Sequence, residues 1–203
     1  MTTKRTFLIA AGLLSAALAG CGNDGAQTAA NTKSGNAVVI PAASFMTGEM
    51  PSNTPRLTEV KAESNIGDKV MFEARVGGRV DVFVEGMAIF VAADPRLISC
   101  DQRPGDYCKV PWDYCCEDFV KMKLGTATIQ IMDDSGMPFE VSAEGQGGIA
   151  PLKTIVVQGV VSDKDELGTF VVDASSIWVG EIPDGPPSED EHGHDHDHDH
   201  DHG

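Results

Sequence analysis

Two apolar segments and a polar turn make up residues 155–179, which read IVVQGVVSDKDELGTFVVDASSIWV. Both segments are rich in β-branched residues, which favour extended backbone. The acidic, glycine-containing turn between them ends at Gly168. We therefore predict strands over residues 155–161 and 170–174, joined by a turn, with residues 177–179 ending the domain.

Upstream of this pair the chain carries further short apolar segments separated by turn residues. Strands are predicted over residues 70–76, 80–84, 87–92 and 127–132, with a return at 139–141 after the turn Asp133-Asp134-Ser135-Gly136. Helical character is confined to residues 114–124, where we expect one or two turns. Five or six strands in roughly 120 residues predict an all-β fold, either a small barrel or an immunoglobulin-like sandwich.

The final strand pair, together with Gly67-Asp68-Lys69-Val70 and the strand after it, resembles the closing and opening strands of bacterial OB-fold domains. The resemblance implies a five- or six-stranded OB-like barrel over residues 57–182, with a Cys-rich insertion at residues 100–116. OB folds bind oligonucleotides or oligosaccharides on one face. The formal net charge of −16, from 15 Lys+Arg and 31 Asp+Glu, argues against nucleic acid, because a phosphate backbone requires a basic surface.

The N-terminus has the pattern of an export signal over residues 1–20. Lys4 and Arg5 precede an apolar run from Phe7 to Leu18, which is shorter than the ~18 residues of a membrane span. Leu18-Ala19-Gly20-Cys21 resembles the lipobox of bacterial lipoproteins. The resemblance implies cleavage before Cys21, whose thiol then carries a diacylglycerol with fatty acids such as palmitate.

Gly22 stands where an aspartate would resemble an inner-membrane retention signal, so its presence favours the outer membrane, facing the periplasm. Residues 21–56 are mostly small and polar, and we expect a flexible, lipidated tether there. The run at residues 37–40 is the exception, because its apolar side chains offer a place for the tether to dock on the domain.

Four cysteines lie close together in the insertion: Cys100, Cys108, Cys115 and Cys116. In an oxidising envelope they can form two disulfides in three connectivities, one of which needs a strained bond between neighbouring residues. Alternatively, four thiolates can enclose Zn²⁺, or two or three can hold Cu(I). A labile, redox-active disulfide is the third interpretation. The spacing fits neither a zinc finger nor a C-x-x-C redox motif.

Trp112 and Tyr114 lie between these cysteines. They form either a stacking platform for a sugar or another ligand, or an apolar cap that holds the loop on the mouth of the barrel. The sequence alone leaves both roles open.

The C-terminal segment 183–203 alternates histidine with aspartate and glycine, and its composition predicts a disordered tail. The histidines are His192, His194, His196, His198, His200 and His202, and the interleaved carboxylates are Asp195, Asp197, Asp199 and Asp201. Imidazole and carboxylate together suit zinc, copper or nickel. We expect weak, multi-site and exchangeable metal binding at this tail.

All six histidines lie in the tail, so the domain lacks the commonest general base, and no phosphate loop, H-E-x-x-H or dinucleotide fingerprint is present. We therefore do not expect an enzyme. The sequence favours a lipid-anchored envelope module that binds or buffers a transition metal. The alternative is a structural lipoprotein whose barrel face or Trp112 loop binds a protein or glycan partner.

Overall fold

A computed structural model describes residues 38–105 and 108–184. The export signal, Cys21 and the His/Asp tail lie outside these ranges. The strands are β1 (Lys69–Val76), β2 (Ile89–Ala93), β3 (Thr126–Ile131), β4 (Thr154–Lys164) and β5 (Phe170–Val179). The helices are α1 (Leu57–Glu63) and α2 (Phe119–Gly125), with short 3₁₀ turns at Ala42–Ser44, Cys100–Gln102 and Gln146–Gly148. No helix in the described ranges has the length and apolar character needed to cross a bilayer.

The five strands close into a barrel in the order β1-β2-β3-β5-β4, with β4 pairing back to β1. The β3–β5 pair is parallel and the other pairs are antiparallel. This confirms the expected all-β, OB-like barrel, and the sandwich alternative is wrong. The pairing of β4 with β5 follows from the stretch quoted first, which contains both strands and the turn between them.

The barrel interior is filled by alternate residues of each strand. In β1 the side chains of Val70, Phe72, Ala74 and Val76 point inward and are buried, as the period of a strand requires. Phe72 and Phe170 pack with their ring centroids 6.4 Å apart. Most other core positions hold valine, isoleucine or alanine, so the core is built from small and branched side chains with few rings.

Several details of the secondary structure differ from the prediction. Residues 80–84 do not form a strand, because only Phe83 pairs in ladder geometry, with Phe90. Helix α1 was not predicted, although Leu57 and Lys61 are buried one turn apart on its inner face. The predicted helix at residues 114–124 begins later, at Phe119, where the Asp118 carboxylate accepts hydrogen bonds from two backbone N–H groups of the first turn.

Lys61 fastens α1 to the rest of the fold. Its ammonium group donates hydrogen bonds of 2.7–2.8 Å to the carbonyl oxygens of Lys123, Thr126 and Gly168. Burial lowers the pKa of Lys61 to about 8. The three carbonyls belong to the end of α2, the start of β3 and the β4–β5 turn, so one buried cation joins three parts of the molecule.

The described part of the expected tether, from residue 38 onward, packs on the barrel. Ile40 is only 2% exposed and belongs to the core, and Phe45 pairs with Ile177 of β5. The Phe45 ring lies against Gly147, where a Cβ atom would come within 2.2 Å of the ring. The packed domain therefore starts before residue 57, and the expected tether of residues 21–56 overlaps with it.

Candidate metal centre

The Cys-rich insertion forms a long loop between β2 and α2. Two backbone hydrogen bonds draw the two halves of this loop together, from the N–H of Cys100 to Asp113 O (2.9 Å) and from the N–H of Asp101 to Pro111 O (3.0 Å). Because Cys100 lies opposite residue 113, the chain returns within reach of it at Cys115. The loop backbone therefore brings the first and third cysteines together.

Arg75 of β1 fixes the first half of the loop to the barrel. Its side chain is 1% exposed and lies on the opposite face of the strand from Phe72 and Ala74. The guanidinium donates to Leu152 O (3.1 Å), to the hydroxyl of Ser99 and to a carboxylate oxygen of Asp101 (2.8 Å). Because residues 99 and 101 flank Cys100, this network determines where the first sulfur lies.

The second half of the loop is held by Trp112 and Tyr114. The indole N–H of Trp112 donates to Val80 O (3.0 Å), and the Trp112 carbonyl accepts from the N–H of Gly78 (3.1 Å). A Cβ atom at Gly77 would approach that carbonyl to 2.8 Å, so a side chain there would push the loop away. Tyr114 is 3% exposed, and burial raises its pKa to about 12.

These contacts match those expected of a cap. Tyr114 has too little exposed surface to stack on a sugar, and the polar atom of the Trp112 ring already has a partner in the protein. In this structure both side chains support the cysteine loop, and Tyr114 is too deeply buried to stack on a ligand.

Glu117 closes the end of the loop. Its carboxylate accepts a hydrogen bond from the N–H of Ile98 (3.1 Å) and lies 3.4 Å from the guanidinium of Arg103. Burial opposes ionisation, but the backbone hydrogen bonds from Ile98 and Asp118 outweigh it and hold the pKa of Glu117 below its ordinary value. A charged, hydrogen-bonded carboxylate thus links both ends of the loop just before α2.

Three of the four thiols converge at the tip of this framework. The sulfurs of Cys100, Cys108 and Cys115 all lie within 4.8 Å of one another. Cys115 lies 3.5 Å from Cys100 and 3.4 Å from Cys108, and the Cys116 sulfur lies 3.7 Å from that of Cys115. These separations exceed the ~2.05 Å of a disulfide bond. Two thiolates on a tetrahedral Zn²⁺ lie about 3.8 Å apart, which is close to the observed spacing.

The thiols differ in their surroundings. Cys100 is buried, and loss of solvation raises its pKa to about 11. Cys115 is exposed, and hydrogen bonds from Cys108, Cys100 and Cys116 lower its pKa. Cys115 is therefore more easily ionised than Cys100, and a bound cation would have to displace the proton of the buried thiol.

The chain has a second surface feature, a groove beside the barrel. It encloses about 350 Å³ between β2, β3, α2 and the β4–β5 turn. Phe119 and Leu167 line it and are 80% and 84% exposed, and Arg79 and Lys123 add positive charge. OB folds use the face of strands 2 and 3 for ligands, and this groove lies on that face.

Sequence reasoning identified the four cysteines and missed the residues that position them. Arg75, Ser99 and Asp101 were not singled out, nor was the groove around Phe119. The sequence held one signal for Arg75. It is a charged residue next to the end of a predicted strand, and a charge there needs either solvent or a partner. The predicted metal ligands His192 to His202 with their aspartates, and the lipidated Cys21, lie in the parts of the chain that the structure does not describe.

Comparison of the chain with protein-family models, with curated proteins and with solved structures found no match.

Proposed function

We propose that this chain is a metal-binding module of the bacterial envelope, in which Cys100, Cys108 and Cys115 bind one thiophilic transition-metal ion. The observation that carries the proposal is the convergence of these three sulfurs within 4.8 Å. The geometry fits thiolates around one ion, and the backbone hydrogen bonds from Cys100 and Asp101 to the returning half of the loop bring the first and third sulfurs together. A preorganised site loses less conformational entropy when it binds.

The sequence supports two further parts of this proposal. The lipobox-like residues before Cys21 indicate a lipid anchor, which would keep the module at the outer membrane. The six histidines and interleaved aspartates after residue 191 would supply a second, weaker set of ligands for zinc, copper or nickel. In this arrangement the tail collects ions near the membrane and the cysteine site retains one of them.

Equilibrium dialysis of the reduced mature chain tests the proposal, with Cys21→Ser in every variant to remove the N-terminal thiol. We expect one tightly held ion per chain, which Cys115→Ser abolishes. Cys116→Ser is the matched control, because it removes a neighbouring thiol outside the convergent group. Replacing the six tail histidines with alanine should remove the weak ions and leave the tight one. Equal binding by wild type and Cys115→Ser would refute the site.

The groove favours a second candidate function, the binding of a partner protein. Phe119 and Leu167 expose large apolar surfaces on its rim, which suit an apolar segment of another envelope protein. A photo-crosslinker at residue 119 should give one discrete adduct that Leu167→Asp abolishes. A crosslinker at Asp134, exposed on a distant turn, should give none. A glycan adduct, or no adduct at residue 119, would refute this function.

A further inference from the structure

The donor set of the convergent group consists of sulfur alone. Within residues 38–105 and 108–184, no carboxylate and no imidazole lies close enough to join Cys100, Cys108 and Cys115. Thiolates are soft ligands that select soft ions such as Cu(I), whereas oxygen ligands suit harder ones. The proposed function names only a thiophilic transition-metal ion. A group of three sulfurs and no other ligand narrows that choice to a soft ion.

The sulfur triangle also fits a three-coordinate ion. Two of its sides are 3.4 and 3.5 Å, and the third is at most 4.8 Å. For a third side between 3.5 and 4.8 Å, an ion in the plane and equidistant from all three sulfurs lies about 2.0–2.4 Å from each. This range includes the ~2.3 Å of a metal–thiolate bond, so the ion can sit in the sulfur plane.

A tetrahedral Zn²⁺ site would need a fourth ligand at the same spacing from all three sulfurs. Cys116 does not provide it here, because its sulfur approaches Cys115 to 3.7 Å but is outside the group in which all sulfurs are mutually close. Structural zinc sites are almost always closed by four protein ligands. The described residues therefore suit trigonal better than tetrahedral coordination.

The four thiols differ in their access to solvent. Cys100 is buried, whereas Cys108, Cys115 and Cys116 are exposed. An incoming ion can bind first to the exposed sulfur of Cys116, which lies outside the convergent group, bridge to Cys115 at 3.7 Å, and then pass to the triad. Each new metal–sulfur bond releases one thiol proton to water, and the copper stays monovalent throughout.

We infer that Cys100, Cys108 and Cys115 form a trigonal Cu(I) site, and that Cys116 is the exchange thiol through which the ion enters and leaves. This inference rests on the proposed function and specifies its ion. It assigns separate roles to two adjacent cysteines, 115 as a ligand and 116 as a relay.

The test uses the reduced mature chain with Cys21→Ser, loaded anaerobically with Cu(I) against a chromophoric Cu(I) chelator. X-ray absorption should show three sulfurs at about 2.3 Å, and one equivalent of Cu(I) should displace any bound Zn²⁺. Cys116→Ser should keep the stoichiometry and affinity but slow ion transfer to the chelator at least about tenfold. Cys108→Ser, at an exposed position that the core does not need, should lose the third sulfur.

The outcomes separate this inference from the proposed function. Four sulfurs around Zn²⁺, with no preference for Cu(I), would overturn the inference and leave the metal site standing. A Cys116→Ser chain that transfers copper as fast as wild type would overturn the relay role. Failure to retain either ion in the reduced chain would overturn the inference and the proposed function together.

Discussion

Replacing Arg75 with methionine should destabilise the fold and loosen the metal site. The guanidinium is 1% exposed and donates to Leu152, Ser99 and Asp101. Removing one partner of a buried ion pair costs about 3–5 kcal/mol. Because the Asp101 side chain keeps 23% of its surface exposed, water compensates part of that loss. We therefore expect Arg75→Met to lower the free energy of unfolding by about 3 kcal/mol.

Urea denaturation followed by Trp fluorescence measures this change, and the same samples report affinity for Cu(I). Arg79→Met is the matched control, because Arg79 is exposed and lies three residues beyond the end of β1. The control should remain within about 0.5 kcal/mol of wild type. The Arg75→Met chain should also bind the ion more weakly, since residues 99 and 101 flank Cys100. If Arg75→Met unfolds at the wild-type urea concentration, our explanation of how the loop is held is incorrect.

Three further substitutions test single contacts. Lys61→Met leaves three carbonyls unpaired and should lower the free energy of unfolding by about 2–4 kcal/mol. The control Lys69→Met, at an exposed position, should change it little, and equal urea midpoints for the two variants would contradict this. Gly77→Ala places a Cβ atom 2.8 Å from a carbonyl and should cost about 1–3 kcal/mol, measured by thermal unfolding. Burial opposes ionisation of Asp94, but Thr58 and Arg96 outweigh it and lower the pKa of this carboxyl, so its stabilisation is complete above about pH 4 and is lost as pH falls further. Asp94→Asn should remove that acid-dependent part, and identical pH profiles would refute the assignment.

The barrel was predictable because its strands carry strong local signals. β4 and β5 are long, β-branched and joined by a turn ending in glycine, so the pattern predicts both strands and their pairing. Helix α1 escaped prediction because its seven residues include only two apolar anchors, Leu57 and Val60, and its stability comes from Lys61 and from Asp94. Such long-range contacts do not produce the hydrophobic periodicity from which a helix is predicted.

The site was predictable only as a set of thiols. Cysteine spacing left disulfide, metal and redox interpretations open, because it does not determine how a long loop folds. The folded loop depends on contacts with distant residues, such as Arg75 with Asp101 and Gly78 with Trp112. Cys116 shows the same limit, since adjacency to Cys115 in the chain does not reveal that its sulfur lies outside the convergent group.

Native mass spectrometry of the mature chain with Cys21→Ser and the six tail histidines replaced by alanine, isolated from the periplasm and compared with the denatured chain, tests the central claim most directly. Our account predicts a native mass with one ion bound and a denatured mass that equals the fully reduced value. Cys115→Ser should lose the ion. A denatured mass lower by four hydrogen atoms, with no ion bound in the native state, would contradict the account, because the four cysteines would then be paired in two disulfides.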